Sequence, residues 1–182
     1  MTSPEPTSNR RERHIRTVLL ASIVGILVVT ALLTGGPPSA RIPDGSEAPE
    51  FSLSTTTHHT ETLSQHRGKP VFLIFWATWC QICTLDLAAL SELAALPETQ
   101  GMIFRAIAMN GSQDVERLRR RTGLPWEPHL PILLDPDSRV AQSYQVGAVP
   151  TSILINADGQ VVKSFEGSVG RQAFARAIDD LK

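Results

Sequence analysis

The chain has 182 residues, 42% of them hydrophobic, a formal net charge of -1 at pH 7 and only two cysteines. This length allows one ordinary domain plus an appendage. Without the four arginines and two glutamates of residues 1–40, residues 41–182 carry 13 basic and 16 acidic side chains, a net charge of -3. That balance offers no basic face for nucleic acid, and two cysteines are too few for a disulfide-stapled scaffold.

The N-terminal appendage has the pattern of a membrane anchor. Residues 17–33 carry no charge and are almost wholly apolar, whereas Arg10, Arg11, Arg13 and Arg16 precede them. About 20 apolar residues span a bilayer as a helix, and basic residues stay on the cytoplasmic side. We predict a cytoplasmic tail at 1–16, a single transmembrane helix at 17–36, a linker at 37–43 and an extracytoplasmic (periplasmic) domain at 44–182. A cleaved signal peptide is the alternative, and it too exports the domain.

Strands and helices alternate along residues 44–182. The apolar run Val71–Phe75 has no polar alternation, which predicts a strand covered on both faces. Apolar residues at helical spacing predict a helix over Cys80–Leu96, ended by Pro97. The other predicted strands lie near 51–53, 60–63, 103–109, 132–134, 151–156 and 160–166, and the other helices at 114–122, 138–144 and 170–181.

Local signals mark the ends of these elements. Ser112 is a candidate cap for the helix that Gly123 ends, and Asp158-Gly159 predicts a hairpin between the last two strands. Strand–helix alternation followed by a hairpin and a closing helix predicts an α/β fold, a mixed central sheet with helices on both faces.

The two cysteines form the most informative motif. Cys80 and Cys83 follow the apolar strand and open the predicted helix, an arrangement typical of a dithiol redox centre. A helix N-terminus stabilises a thiolate, so we expect the pKa of Cys80 to lie below the free value of about 8.5. We expect the Cys80 sulfur to be exposed and Cys83, one turn on, to face the interior, so Cys80 is the predicted nucleophile and Cys83 the resolving thiol. Two unrelated buried thiols are the alternative, and a zinc site would need four ligands.

The motif and its context resemble a known superfamily. Residues 75–83 read Phe-Trp-Ala-Thr-Trp-Cys-Gln-Ile-Cys, and Val149-Pro150-Thr151 follows downstream. Together they resemble the thioredoxin superfamily, and more closely the membrane-anchored TlpA/ResA-like thiol-disulfide oxidoreductases of bacteria. The opening Gly45–Leu53 and the strand–helix segment Ile103–Gly123 are also similar to that family. The resemblance covers roughly residues 43–182.

The resemblance implies a thioredoxin-like fold with Pro150 in a cis peptide bond facing the cysteines. The backbone of Val149 would then pair with an extended substrate segment, and Trp79 would be an exposed aromatic contact for substrate. A trans proline that ends a loop is the alternative for Pro150. Trp76 is either core packing or a wall of the site.

The chain departs from the family pattern at two places. Gln81-Ile82 between the cysteines lacks the common proline, which leaves the direction of electron flow open. Ile74 replaces the buried acid of thioredoxin, so a proton acceptor for Cys83 must come from elsewhere. Asp86 is the candidate, because it shares a helix face with Cys83 and matches an active-site glutamate of ResA-like proteins. The alternative is an ordinary aspartate in solvent.

The function implied by the resemblance is a membrane-tethered thiol-disulfide oxidoreductase that needs no dissociable cofactor beyond its own cysteine pair. Cysteine-containing exported proteins, for example in cytochrome c maturation, would be its substrates, and a membrane transporter of the DsbD/CcdA type its electron donor. A disulfide-forming oxidant is the main alternative.

Two other classes are less favoured. A copper-binding module would need a distant histidine, for instance His129, beside the cysteines. We interpret His58, His59, His66 and His129 as loop or surface residues, since none has metal-ligand spacing. A peroxidase site would need Thr or Ser at position 77, which is alanine.

Overall fold

The computed structural model describes residues 15–23, 41–125 and 127–181. The chain divides into two compact units, residues 1–39 and residues 40–182. Residues 15–23 of the first unit are helical. Within the described residues, no helix combines the length and the apolar character needed to cross a bilayer. Most of the predicted tail and anchor, and part of the predicted linker, lie outside the described residues.

The second unit is built on a mixed sheet of seven strands in the order β2-β1-β5-β4-β3-β6-β7. The pairs β3–β4 and β4–β5 are parallel, and the other neighbouring pairs are antiparallel. The strands are β1 (Ser52–Thr55), β2 (Thr60–Thr62), β3 (Val71–Trp76), β4 (Ile103–Ala108), β5 (Ile132–Leu134), β6 (Thr151–Ile155) and β7 (Val161–Glu166).

Strand β3 runs through the middle of the core. All six of its residues are buried, as the apolar run predicts. Phe72, Ile74 and Trp76 pack into one apolar cluster, whereas the alternate residues pack into a second cluster on the other face. The prediction of a strand covered on both faces is therefore confirmed.

Helices lie on both faces of the sheet, again as predicted. Helices α1, α2 and α4 contribute Leu90, Val115 and Phe174 to one cluster, and α3 contributes Ala141 to the other. Their bounds are α1 (Cys83–Ala94), α2 (Ser112–Thr122), α3 (Arg139–Ser143) and α4 (Arg171–Asp179).

Two predicted helix starts are wrong. Helix α1 begins at Cys83 rather than Cys80, because the N–H groups of Thr84 and Leu85 bond to carbonyls three residues back in a tight turn. Helix α2 begins at Ser112 itself, after Gly111, and the Ser112 side chain makes no capping bond. Its predicted end is confirmed, because Gly123 adopts the left-handed conformation at φ 73° and donates to Arg119.

Helix α3 is held by an aspartate that precedes it. The Asp135 carboxylate is buried and accepts bonds from the N–H groups of Val140 at 3.3 Å and Ala141 at 2.9 Å. This carboxylate satisfies N–H groups of the first turn, which have no partner inside a helix.

Candidate active site

The cysteine motif lies in a turn between β3 and α1. The N–H of Cys80 bonds to the carbonyl of Ala77 at 3.0 Å, which closes the turn. Asn110, from the loop after the neighbouring strand β4, accepts a bond from the N–H of Thr78 at 2.8 Å. The parallel pairing of β3 and β4 brings these two loops to the same edge of the sheet. Asn110 was missed by sequence reasoning, since an isolated asparagine after a strand carries no specific signal.

The two cysteines form a disulfide, with their Cα atoms 5.4 Å apart. Cys83 is fully buried, which confirms that it faces the interior. Cys80 is only 7% exposed, so the expectation of an openly exposed sulfur is wrong. Solvent nevertheless reaches Cys80 alone of the two residues, and an attacking sulfur must approach from that side.

The loop before β6 faces the disulfide. The peptide bond between Val149 and Pro150 is cis, as the family resemblance implies. The Cys80 Sγ atom lies 3.7 Å from the carbonyl oxygen of Val149. The carbonyl of Pro150 accepts a bond from the N–H of Gly167 at 2.8 Å, which ties this loop to the end of β7. The structure therefore brings Cys80 together with Val149 and Pro150, which lie 69 and 70 residues further along the chain.

Asp86 is fully buried, so the alternative of an ordinary aspartate in solvent is wrong. Its Oδ1 accepts bonds from the hydroxyl of Ser168 at 2.8 Å and from the N–H of Gly170 at 3.2 Å. Its Oδ2 is buried and has no hydrogen-bond partner among the described residues. Buried carboxylate oxygens are normally bonded, so this unused oxygen, one helical turn from Cys83, is an exception among the described residues.

Ser168 is a further site residue that the sequence did not reveal. It lies in the loop Gly167–Gly170 between β7 and α4, where both glycines have positive φ angles of 76° and 75°. With these backbone conformations the loop turns back and contacts Asp86 at the start of α1. Two glycines around a serine indicate only a turn, and only the packing of α4 against α1 shows which carboxylate the turn contacts.

The two tryptophans of the motif have different environments. Trp79 is 71% exposed beside Cys80, as expected for a substrate contact. Trp76 is buried in the core cluster and therefore belongs to the packing. Ile74 is fully buried and belongs to the same apolar cluster as Cys80 and Cys83.

The four histidines that the structure describes have different environments. His58, His59 and His129 are exposed, as expected, but the side chain of His66 is mostly buried and its Nε2 lies 2.6 Å from Glu61. The interpretation of His66 as a loop or surface residue is therefore wrong. Glu61 also binds Arg105, and the three side chains form a mostly buried charged group. Within the described residues, no group of three or more His, Cys, Asp or Glu side chains could hold a metal ion.

Comparison with known proteins agrees with this site. Residues 45–164 match the model of the AhpC/TSA family. The thiol-disulfide oxidoreductase ResA of Geobacillus kaustophilus is 33% identical over 169 residues, 92% of each chain. The thiol-disulfide oxidoreductase ResA of Bacillus subtilis is 32% identical over 164 residues, 88% of each chain.

Solved structures give the same assignment. A putative thiol:disulfide interchange protein DsbE from Chlorobium tepidum has a TM-score of 0.69 and 26% identity, covering 77% of this chain and 98% of its own. The exposed lipoprotein thioredoxin of Streptococcus pneumoniae has a TM-score of 0.63 and 28% identity, covering 73% of this chain and all of its own. The predicted thioredoxin-like fold is thereby confirmed. The chain belongs to the AhpC/TSA family and is a thiol-disulfide oxidoreductase similar to ResA, with Cys80 and Cys83 as its active-site pair.

Proposed function

We propose that this protein reduces disulfides of exported proteins on the extracytoplasmic side of the cell membrane. In this proposal residues 17–36 anchor the chain, residues 1–16 stay in the cytoplasm and the domain at 44–182 lies on the periplasmic side, after the linker at 37–43. The four arginines before the anchor favour this orientation. A membrane donor of the DsbD/CcdA type would return electrons to the cysteine pair, and apocytochrome c during cytochrome c maturation is the proposed substrate.

The reaction cycle divides the work between the two cysteines. The Cys80 thiolate attacks a substrate disulfide, forms a mixed disulfide and releases one substrate thiolate. Cys83 then attacks the Sγ of Cys80, releases the second substrate sulfur as a thiol and leaves the Cys80–Cys83 disulfide. Two electrons pass to the substrate. The burial of Cys83 favours these roles, because a bulky substrate can reach only Cys80.

Trp79, Val149 and Pro150 would hold the substrate during this exchange. The exposed ring of Trp79, the residue before Cys80, offers apolar contact, and the loop of Val149 and Pro150 beside the Cys80 sulfur offers backbone. An extended polypeptide lying along this backbone would place its own sulfur beside Cys80. Backbone pairing of this kind gives affinity with little demand on sequence.

The observation that carries the reducing direction is the charge around the cysteines. The stretch from residue 70 to residue 104 contains the buried Asp86 and no lysine, arginine or histidine. A neighbouring carboxylate disfavours a thiolate at Cys83, and no basic side chain of this stretch offsets it. A strongly oxidising dithiol owes its potential to a stabilised reduced form, and Asp86 disfavours the charged reduced form at Cys83. Asp86 would instead accept the proton of Cys83 when that thiol attacks.

The reduction potential of the Cys80–Cys83 couple in the full-length chain tests the direction. Tryptophan fluorescence would follow equilibration against defined thiol buffers, since Trp79 adjoins the disulfide. We expect a potential near or below that of thioredoxin, about -270 mV. A value close to that of DsbA, about -120 mV, would contradict the proposal and favour a disulfide-forming oxidant.

A further inference from the structure

Asn110 connects the turn that carries Cys80 to the neighbouring strand. Its Oδ1 accepts a hydrogen bond from the N–H of Thr78 at 2.8 Å, from a position 32 residues further along the chain. The residue before it, Met109, donates its N–H to the carbonyl of Trp76 at 2.9 Å. The loop after β4 therefore contacts the end of β3 and the turn that follows it, directly before the reactive cysteine.

A firmly paired part of the sheet supports Asn110. Strand β4 pairs with β3 through all six of its residues and with β5 on its other side. Beyond the paired residues, Asp135 donates its N–H to the carbonyl of the buried Ala108 at 2.8 Å. Asn110 is half-buried two residues after this strand, so its side chain is held in place and can fix the backbone to which it bonds.

The turn that carries the cysteines is itself closed by short-range bonds. The N–H of Cys80 bonds to Ala77 at 3.0 Å, and the N–H of Thr84 bonds to Gln81 at 3.2 Å. Gln81 and Ile82, between the cysteines, are exposed. In the oxidised protein the disulfide fixes this turn covalently. Reduction removes that constraint, and exposed residues held by local bonds then gain conformational freedom.

We propose that Asn110 is a positioning residue that keeps Cys80 and Cys83 correctly placed to form their disulfide. Ring closure begins when the Cys83 thiolate attacks the Sγ of Cys80 in a mixed disulfide, and it ends when the partner sulfur leaves as a thiolate. Because this step is intramolecular, its rate and its equilibrium both depend on how well the two sulfurs are held together. Asn110 acts on them through the backbone of Thr78. Every complete cycle includes one ring closure, whichever way electrons flow, so the inference goes beyond the proposed reducing direction.

The reduction potential of the cysteine pair in full-length Asn110→Ala is the first test, measured by tryptophan fluorescence against dithiothreitol. The substitution removes the bond to Thr78 in both redox states, but the disulfide still holds the oxidised turn, so the reduced form gains more freedom. We expect the equilibrium constant for closing the disulfide to fall about tenfold, which raises the potential by about 30 mV. Asn110→Ser, whose side chain is one bond shorter, should shift the potential in the same direction. A potential that neither variant changes would overturn the inference.

Stopped-flow oxidation separates ring closure from the attack by Cys80. Reduced protein is mixed with the symmetrical disulfide of thionitrobenzoate, and the absorbance of the released thiolate is followed. Cys80 attacks first and releases one thionitrobenzoate in a bimolecular phase. Cys83 then attacks Cys80 and releases the second in a unimolecular phase, so that two electrons leave the protein.

The two phases should respond differently to Asn110→Ala. We expect the unimolecular rate to fall about tenfold, whereas the bimolecular rate should stay within about twofold of the wild-type value, because it involves Cys80 alone. Equal slowing of both phases would mean that Asn110 acts on the reactivity of Cys80 and not on ring closure, which would overturn the inference.

Asn156→Ala is the matched control for Asn110→Ala. Asn156 is also half-buried, and its Oδ1 accepts a backbone N–H, that of Gln160, at 2.8 Å. This bond lies in the hairpin between β6 and β7, at the opposite edge of the sheet. Both oxidised variants should lose similar stability in urea, but Asn156→Ala should keep the wild-type potential and closing rate. An equal shift of potential in Asn156→Ala would show that general loss of stability is the cause, and the inference would fail.

Asn110→Asp tests whether the acceptor oxygen is responsible. It has the shape of asparagine and keeps an oxygen for the Thr78 N–H, so its closing rate should stay close to that of the wild type. Its added negative charge disfavours a thiolate and would lower the potential, the opposite of the shift in Asn110→Ala. A closing rate as slow as that of Asn110→Ala would contradict the role of the hydrogen bond.

The proposed reductase and the role of Asn110 fail separately. The potential of the wild-type protein tests the reductase, whereas the difference between the wild type and Asn110→Ala tests the positioning role. An oxidising wild-type potential with the difference intact would refute only the reductase. A reducing wild-type potential without the difference would refute only the role of Asn110.

Discussion

Two buried aspartates at the starts of helices have opposite hydrogen-bonding states. Asp135 and Asp86 are 2% and 0% exposed. Asp135 precedes α3 and uses both carboxylate oxygens to bond backbone N–H groups of the first turn. Asp86 lies inside the first turn of α1, bonds through Oδ1 alone and leaves Oδ2 without a partner among the described residues.

In the proposed function, this difference separates a carboxylate that supports the fold from one that takes part in the reaction. A carboxylate whose oxygens are all bonded holds its charge at little cost and has no free lone pair for a proton in transit. A buried carboxylate with an unused oxygen costs stability, and a part in the reaction is one explanation for such a group. Asp135 therefore supports the fold, whereas Asp86 takes part in the reaction only in the function proposed above, although both look alike in sequence.

The largest expected effect that follows from this comparison is on catalysis. Asp86→Asn keeps an acceptor for Ser168 and Gly170 but removes the base proposed for Cys83. We expect turnover with a protein disulfide to fall about a hundredfold, because a positioned general base contributes at least that factor. The free energy of unfolding should change by less than about 1 kcal/mol, since the amide oxygen keeps both hydrogen bonds and the loss of a buried charge offsets their weakening.

Glu92→Gln is the matched control for Asp86→Asn. Glu92 is a carboxylate on the same helix, but its side chain is 68% exposed and pairs with Arg171 at the surface. Turnover of this variant should equal that of the wild-type protein. Unchanged turnover in Asp86→Asn, measured in the same assay, would show that the unused oxygen has no part in the exchange.

Asp135→Ala should lower the stability of the fold rather than the rate of catalysis. Two backbone N–H groups at the start of α3 lose a charged acceptor, and each such bond contributes about 1 kcal/mol or more. We expect the free energy of unfolding in urea to fall by about 2 kcal/mol, with the reduction potential of the cysteine pair unchanged. A shifted potential would break the distinction between the two aspartates.

Ser168→Ala is expected to have a smaller effect on both turnover and the free energy of unfolding. It leaves the Asp86 carboxylate with the Gly170 N–H alone, so the free energy of unfolding should fall by about 1.5 kcal/mol. Turnover should fall severalfold, less than in Asp86→Asn, because the base remains but is held more loosely. Ser164→Ala is the matched control, since Ser164 is buried and donates one bond to the carbonyl of Ile42. If both variants slow turnover equally, Ser168 has only a structural part.

The sequence predicts the fold better than it predicts the site. The elements of the sheet follow from apolar runs and turn signals, and the cysteine motif identifies the chemistry because its spacing is local. Asp86 could be chosen from its helical spacing to Cys83, but its burial could not, since that depends on the loop Gly167–Gly170 lying over α1. Asn110 and Ser168 could not be predicted for the same reason, because their hydrogen-bond partners lie 32 and 82 residues away in sequence.

Tyr144 extends the comparison to a buried group that stays neutral. Its hydroxyl donates to the carbonyl of Pro49 at 2.7 Å, and burial raises the pKa of the phenol, with the charge of Glu50 acting in the same sense. A raised pKa in the folded state means that the stabilisation is complete below the unfolded value of about 10 and is lost as the pH rises above it. Between the pKa of the unfolded state and the raised pKa of the folded state, the free energy of unfolding falls by up to about 1.4 kcal/mol for each pH unit.

Tyr144→Phe should therefore lower the free energy of unfolding by about 1 kcal/mol near neutral pH, through loss of one hydrogen bond, and by less above about pH 10. Tyr144 is the only tyrosine of the chain, so the absorbance of tyrosinate reports on it alone. In the folded wild-type protein this absorbance should appear only together with alkaline unfolding. Tyrosinate formed near pH 10 without unfolding would contradict this prediction, because it would show that water reaches the phenol of the folded protein.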